Sequence, residues 1–120
     1  MSSIERRAYL RYKLAVPVSV ETDDGAVIYT MTREISLGGM QIACDTNMLN
    51  SMLPEGIQTA PGDRVFLQAT LNYSNHLGSI SLRAHALGVL RLAESEFSVR
   101  CSFIDLDQMQ QDQLQQLLNQ

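Results

Sequence analysis

The segment LAVPVSVETDDGAVIYTMTRE, residues 14–34, decides the fold. From Leu14 to Thr22 apolar side chains alternate with other residues, which is typical of a strand with one buried face. The turn signal DDG follows at residues 23–25, and a second run from Ala26 to Glu34 completes a predicted hairpin. Because proline lacks a backbone N–H donor, Pro17 predicts that the first strand lies at a sheet edge.

Four later runs have strand character and are separated by short turns. Six strands joined by antiparallel connections predict an all-β barrel. The later runs are Met40–Cys44, Arg64–Tyr73, Ile80–Leu92 and Phe97–Ile104.

From Asp45 to Gly62 apolar residues recur at neither a strand nor a helix period, and the region contains two prolines. This pattern predicts a long loop. Four apolar residues inside this region fit one short amphipathic turn of helix. These residues are Met48, Leu49, Met52 and Leu53.

The C-terminal tail changes to a helical period. Asp105 or Asp107 can cap this helix, since each has a glutamine three residues later. The apolar face could pack on the barrel of the same chain or dock on another protein, and ordinary packing on the barrel is the preferred interpretation. The face comprises Leu106, Met109, Leu114, Leu117 and Leu118.

The composition of the 120 residues fits one domain with its own core, because 45% of them are hydrophobic. Residues 1–13 carry four basic and one acidic side chain, which predicts a flexible basic arm ahead of a domain over residues 14–120. The remainder carries twelve acidic and five basic side chains, a poor match to nucleic acid. Neither a secretory signal nor a membrane-inserting segment is evident, so a cytoplasmic protein is expected.

Residues that commonly carry catalysis are sparse. His76 and His85 are not spaced with cysteines or acids as a metal site requires. Cys44 and Cys101 have no nearby histidine in the sequence and are interpreted as small, reduced core residues. The sequence therefore predicts no catalytic residues, no metal and no enzymatic activity.

The arm contains the segment RRAYLR at residues 6–11. Arg7 and Arg11 point to the same side of an extended chain, about 13 Å apart. Each guanidinium can bind a phosphate or the O6/N7 edge of a guanine in a bidentate manner. A basic N-terminal stretch is also commonplace as a solvated tail.

A second segment, EISLGG at residues 34–39, ends the second predicted strand. Glu34 can accept hydrogen bonds from the N1–H and N2–H₂ donors of a guanine, and Ser36 adds a hydroxyl. Gly39 permits a sharp turn and the close approach of a ligand. Taken alone, the segment is better interpreted as a β-bulge or an ordinary tight turn.

Together the two segments resemble the PilZ domain family, bacterial receptors for cyclic di-GMP. Family members carry R-x-x-x-R followed by [D/N]-x-S-x-x-G, which correspond here to Arg7–Arg11 and Glu34–Gly39. The resemblance extends to Val99–Leu106, which leads into the terminal helix as in PilZ domains. It implies a single-domain member with a six-stranded antiparallel PilZ-type β-barrel and a C-terminal α-helix.

The resemblance also implies the ligand-binding residues. Arg6 matches a position at which an arginine accompanies the binding of a stacked pair of cyclic di-GMP molecules, so up to two molecules per chain are expected. Glu34 departs from the pattern, because relatives usually have Asp or Asn there and the extra methylene adds about 1 Å of reach. The implied binding residues are Arg6, Arg7, Arg11, Glu34, Ser36 and Gly39.

The leading hypothesis is a non-catalytic cyclic di-GMP receptor that needs no cofactor besides this ligand. Ligand binding would order the arm, and the changed surface would signal to an effector protein. The alternative is a PilZ-like interaction adaptor whose ligand binding is weakened or lost, which Glu34 favours. A barrel that binds single-stranded nucleic acid is disfavoured, because aromatic residues are only 6% of an acidic chain.

Overall fold

The computed structural model describes residues 10–56, 65–72 and 78–119. These residues form six strands and two helices. The elements are β1 (Pro17–Thr22), β2 (Val27–Ile35), β3 (Gly39–Cys44), α1 (Thr46–Met52), β4 (Phe66–Asn72), β5 (Ser79–Ala93), β6 (Glu96–Ile104) and α2 (Gln108–Leu118).

The strands form a closed antiparallel barrel in the order β1-β2-β3-β6-β5-β4. The predicted hairpin is confirmed, since β1 pairs with β2 from Pro17↔Met31 to Glu21↔Val27. Gly25 in the turn between them has a φ of +91°, a conformation that glycine adopts without steric cost. The predicted all-β barrel with a C-terminal helix is therefore confirmed.

The barrel interior is filled by the apolar side chains that alternate along the strands. Each buried aliphatic side chain of this kind contributes about 1.5–3 kcal/mol relative to an exposed one. Among those buried most completely are Val20, Ile42, Leu71, Leu82 and Val99.

The prediction of an edge strand at Pro17 is wrong. Strand β1 pairs with β2 on one side and with β4 on the other, so the closed barrel leaves it no free edge. Pro17 is tolerated because it is the first residue of the strand, and the register with β4 begins one residue later at Val18↔Leu71.

The short amphipathic turn predicted after β3 is confirmed as α1. The Asp45 side chain caps this helix by accepting a hydrogen bond from the Met48 amide at 2.8 Å. Met52 and Leu53 are buried in the core. The later part of the predicted loop, residues 57–62, lies outside the described residues.

Helix α2 begins with a capping box, in which Asp107 and Gln110 each accept a hydrogen bond from the other's backbone amide. Its leucines Leu114, Leu117 and Leu118 are buried, which confirms packing on the barrel of the same chain. The prediction that Met109 shares this face is wrong.

Met109 is 69% exposed. The side chain that faces the barrel in the first turn is instead Gln110, whose amide donates to the Ser81 carbonyl of β5 at 2.8 Å. Met109 lies about 100° away on the helix and therefore points outward.

Both cysteines are free and buried, which confirms that they are small core residues. Burial raises the pKa of the Cys44 thiol to about 11, with a further contribution from the nearby Asp45 carboxylate. Burial, followed by the proximity of Cys44, raises the pKa of the Cys101 thiol to about 12. Within the described part of the chain, no helix is long and apolar enough to cross a membrane.

Candidate functional site

A cleft of about 290 Å³ opens where the chain enters the barrel beside the β2–β3 turn. Its walls come from the segment before β1, from both sides of the turn, and from β5 and β6. The side chains that line it include those of Arg11, Glu34, Ser36, Gln41, Leu87 and Arg100.

A backbone bridge brings the arm to the turn. The Tyr12 amide donates to the Ile35 carbonyl at 2.8 Å, and the Ile35 amide donates to the Tyr12 carbonyl at 2.9 Å. This pairing places Arg11 beside Glu34 and Ser36, although more than twenty residues separate them in the sequence.

Thr32 of β2 holds the residues that follow Tyr12 against this strand. Its hydroxyl donates to the Leu14 carbonyl at 2.5 Å and accepts from the Val16 amide at 2.9 Å. Because Thr32 is only 2% exposed, these bonds lie away from competing water. The segment from Tyr12 to Val16 is therefore fixed along β2 at several points.

A β-bulge directs Glu34 to the cleft. The register of β2 against β3 shifts between Thr32 and Glu34, after which Glu34 lies opposite Gln41. Before the shift, even-numbered side chains such as Ile28 and Thr32 are buried, whereas after it Glu34 faces outward and Ile35 is buried. The extra residue of a bulge commonly redirects a side chain in this way.

Ser36 shapes the turn. Its hydroxyl oxygen accepts from the Gly38 and Gly39 amides, each at 3.1 Å, while the Ser36 amide donates to the Gly39 carbonyl at 2.8 Å. A serine side chain that satisfies nearby backbone donors stabilises a tight turn. The residue thus has a structural role in addition to lining the cleft.

Gly39 is required by the close approach of β6. A Cβ at this position would overlap the carbonyl oxygen of Cys101, because Gly39 pairs with Ser102 across the β3–β6 ladder. Its backbone does not need a positive φ, since the described glycines with positive φ are Gly25, Gly56 and Gly78. The structural reason for Gly39 is therefore strand packing.

Sequence reasoning did not single out Arg100 and Leu87 as cleft residues. Arg100 projects from β6 opposite Gln41, and a register shift between Ala86 and Gly88 places Leu87 in the cleft wall with 43% of its surface exposed. A glycine inside a strand pattern can mark such a bulge, so Gly88 was the available signal.

The cleft favours an anionic ligand. Among residues 10–56, 65–72 and 78–119, neither Arg11 nor Arg100 has a carboxylate within the 4.0 Å of an ion pair, so both guanidinium groups can bind a ligand. The one described ion pair joins Arg33 to Glu96 at 3.1 Å, and neither of these residues lines the cleft. Two guanidinium groups beside a single carboxylate leave a net positive charge.

Four of the six residues expected to bind the ligand therefore line one cleft: Arg11, Glu34, Ser36 and Gly39. Arg6 and Arg7 lie outside the described residues. No group of three histidine, cysteine or acidic residues that could hold a metal ion occurs in the part of the chain that the structure describes.

The sequence matches the model of the PilZ domain over residues 5–120, and the chain belongs to this family. No protein of curated function has a significantly matching sequence. Solved structures with the same fold nevertheless include several PilZ proteins.

Three of these structures illustrate the similarity. K. pneumonia MrkH in complex with c-di-GMP has a TM-score of 0.74 at 19% identity, covering 95% of this chain and 51% of MrkH. The PilZ domain of YcgR from Escherichia coli with c-di-GMP has a TM-score of 0.66 at 16% identity, covering 95% and 90%. The Bacillus subtilis inhibitor of motility MotI/DgrA has a TM-score of 0.67 at 16% identity, covering 95% and 50%. The chain thus spans about half the length of MrkH and MotI.

Proposed function

We propose that this PilZ domain binds cyclic di-GMP in the cleft. The observation that carries the proposal is the Tyr12–Ile35 bridge, which brings Arg11 of the first motif into one cleft with Glu34, Ser36 and Gly39 of the second. Two weak motifs that are distant in the sequence thereby become one site with both charge and hydrogen-bond acceptors.

The chemistry of the cleft matches the two parts of a guanine dinucleotide. The Arg11 and Arg100 guanidinium groups can pair with phosphates, bind the O6/N7 edge of a guanine, or stack on its face. The Glu34 carboxylate can accept from the guanine N1–H and N2–H₂ donors. Leu87 presents an exposed apolar surface against which the flat face of a base can lie.

The proposed response is ordering of the N-terminal arm. Arg7 and Arg6, which precede the fixed Tyr12–Val16 segment, would close over a ligand already held by Arg11. The changed surface would then be recognised by an effector protein, and the domain would act as a receptor without catalysis. The c-di-GMP named in the MrkH and YcgR complexes supports the choice of ligand.

Isothermal titration with cyclic di-GMP tests the proposal, with cyclic di-AMP as the control ligand. Saturable binding of cyclic di-GMP that the Arg11→Ala variant weakens is the expected result. Amide hydrogen exchange in residues 1–9 should slow on ligand addition if the arm becomes ordered. Absence of binding by the folded wild-type protein would refute the proposal.

That negative result would favour a constitutive adaptor that recognises its partner without ligand. The observation favouring this second function is Glu34, since its longer side chain departs from the Asp or Asn of the family pattern. The two functions give opposite results in the same titration.

A further inference from the structure

Glu34 does not stand alone at the edge of the cleft. Its Oε1 accepts a hydrogen bond from Nε2 of Gln41 at 3.3 Å, and Oε1 of Gln41 accepts from the Ser98 hydroxyl at 3.0 Å. The three side chains lie on three adjacent strands, β2, β3 and β6, and form a continuous chain of hydrogen bonds across the outer surface of the barrel.

The direction of this chain follows from the chemistry of its ends. An ionised carboxylate can only accept hydrogen bonds, so the NH₂ group of Gln41 must face Glu34 and its carbonyl must face Ser98. Ser98 is 1% exposed, and its hydroxyl therefore has little competing water and stays directed at Gln41. The buried end of the chain thus fixes the orientation of the exposed end.

The consequence for Glu34 is a preferred orientation of its carboxylate. Gln41 engages Oε1, and among the described residues no hydrogen-bond partner is found for Oε2. A free glutamate side chain would have to lose rotamer freedom when it bound a ligand, which costs binding energy. A glutamate already held by Gln41 loses less.

We infer that Gln41, held by Ser98, is a positioning residue that presents the Glu34 carboxylate to a guanine and so sets the preference for guanine over adenine. This inference rests on the proposed function of the cleft. Guanine offers N1–H and N2–H₂ donors on one edge, whereas adenine has an acceptor at N1 and no amino group at C2. Correct placement of Glu34 should therefore strengthen the binding of the guanine dinucleotide alone.

The experiment measures the dissociation constants of cyclic di-GMP and cyclic di-AMP for the wild type, for four variants of Gln41, Ser98 and Gln68, and for Glu34→Ala with and without Gln41→Leu. Gln41→Leu removes the amide, Gln41→Glu adds a repelling carboxylate, and Ser98→Ala removes the anchor of the amide. Gln68→Leu is the matched control, because Gln68 is an exposed glutamine of β4 and β4 pairs with neither β2 nor β3. Thermal denaturation establishes that each variant is folded.

We expect Gln41→Leu to weaken cyclic di-GMP binding by about fivefold to tenfold, the loss typical of one intramolecular hydrogen bond, because Gln41 acts on the ligand only through Glu34. Gln41→Glu should weaken cyclic di-GMP binding more than Gln41→Leu does, and Ser98→Ala should weaken it less. None of these variants should change the affinity for cyclic di-AMP, and Gln68→Leu should bind both dinucleotides as the wild type does. In the Glu34→Ala background, Gln41→Leu should have no additional effect, since the two residues act as one unit.

Equal weakening of both dinucleotides by Gln41→Leu would overturn the inference, because it would indicate a general structural effect. Unchanged cyclic di-GMP affinity in Gln41→Leu and Ser98→Ala would also overturn it. In either case the proposed function would still stand if the wild type binds cyclic di-GMP and Arg11→Ala weakens that binding. Failure of the inference about Gln41 is therefore distinguishable from failure of the proposed function. If Gln41→Leu does not fold, Ser98→Ala and Gln41→Glu decide the matter by the same comparison of dinucleotides.

Discussion

Tyr12, which precedes β1, and Ile35, the last residue of β2, exchange both of their backbone hydrogen bonds, at 2.8 and 2.9 Å. The bridge extends the β1–β2 pairing backward along the chain and ends one residue from Arg11 and one residue from both Glu34 and Ser36. The chain next to Arg11 is therefore attached to the barrel through the Tyr12 backbone, which leaves the Arg11 side chain free to act on a ligand.

The first prediction concerns this side chain. Arg11→Ala should weaken cyclic di-GMP binding by about 1–3 kcal/mol through loss of a bidentate contact. Its thermal stability without ligand should hardly change, because Arg11 is exposed and the backbone bridge is retained. Calorimetry and thermal denaturation of the same samples measure the two effects.

Lys13→Ala provides the matched control for charge. Lys13 is an exposed cation two residues from Arg11, but it does not line the cleft. Lys13→Ala should change the affinity for cyclic di-GMP only through the screened long-range attraction between charges, which becomes weaker as the salt concentration is raised. Equal losses in the two variants would mean that Arg11 acts only through net charge.

The sequence predicted the barrel because its strands follow a regular alternation that depends on local residues alone. The sequence could not predict that β1, which begins at Pro17, closes the barrel by pairing with β4, since this pairing depends on residues some fifty positions away. The proline therefore indicated an edge that the barrel does not have.

The candidate site was predictable only in part. The two motifs named Arg11 and Glu34, but the bulges that bring Glu34 and Leu87 to the cleft are register shifts between strands. Arg100 and Gln41 become neighbours of the cleft only through the β3–β6 pairing. Sequence spacing contains no information about such cross-strand positions.

The second prediction tests the packing role of Gly39. Gly39→Ala should lower the free energy of unfolding by about 1–3 kcal/mol, because the added Cβ meets the Cys101 carbonyl and must separate β3 from β6. Gly88→Ala is the control, since a Cβ there meets only the Arg100 side chain at 3.6 Å, an ordinary contact. Denaturant titration of both variants should show a large loss for Gly39→Ala alone, and similar losses would exclude the proposed clash.

The third prediction concerns alkaline pH. Burial raises the thiol pKa from 9.0 to about 11 for Cys44 and about 12 for Cys101, so the unfolded chain loses these protons first. Because the unfolded state then binds fewer protons, stability should fall as pH rises from about 9 to about 12. The decline should be shallower in a Cys44→Ala/Cys101→Ala variant than in the wild type, as measured by unfolding in denaturant at several pH values.

The same burial predicts how the thiols react. A thiol reagent attacks the thiolate, and the raised pKa values leave little thiolate in the folded protein near neutral pH. Labelling should therefore require opening of the barrel and accelerate in denaturant. Rapid labelling of the native protein would contradict the buried positions of Cys44 and Cys101.

The last prediction concerns ligand stoichiometry and follows from the arginines that line the cleft and those that precede Arg11 in the sequence. Arg11 and Arg100 line it, and Arg6 and Arg7 precede Arg11 by only a few residues. One cyclic di-GMP molecule carries two phosphate charges, whereas a stacked pair carries four in a small volume and so requires more guanidinium groups. We therefore expect calorimetry to give close to two ligands per chain.

Arg6→Leu should reduce this value towards one while detectable binding remains, because Arg7, Arg11 and Arg100 are sufficient for a single molecule. Arg91→Leu is the control, since this exposed arginine donates to the carbonyls of Ala93 and Glu94 in the β5–β6 turn and does not line the cleft. The alternative is that Arg6 is only solvated, since exposed charges commonly contribute little binding energy. A stoichiometry of one in the wild type that Arg6→Leu leaves unchanged would establish this alternative. A decrease in stoichiometry from two to one in Arg6→Leu would assign the binding of the second molecule to Arg6.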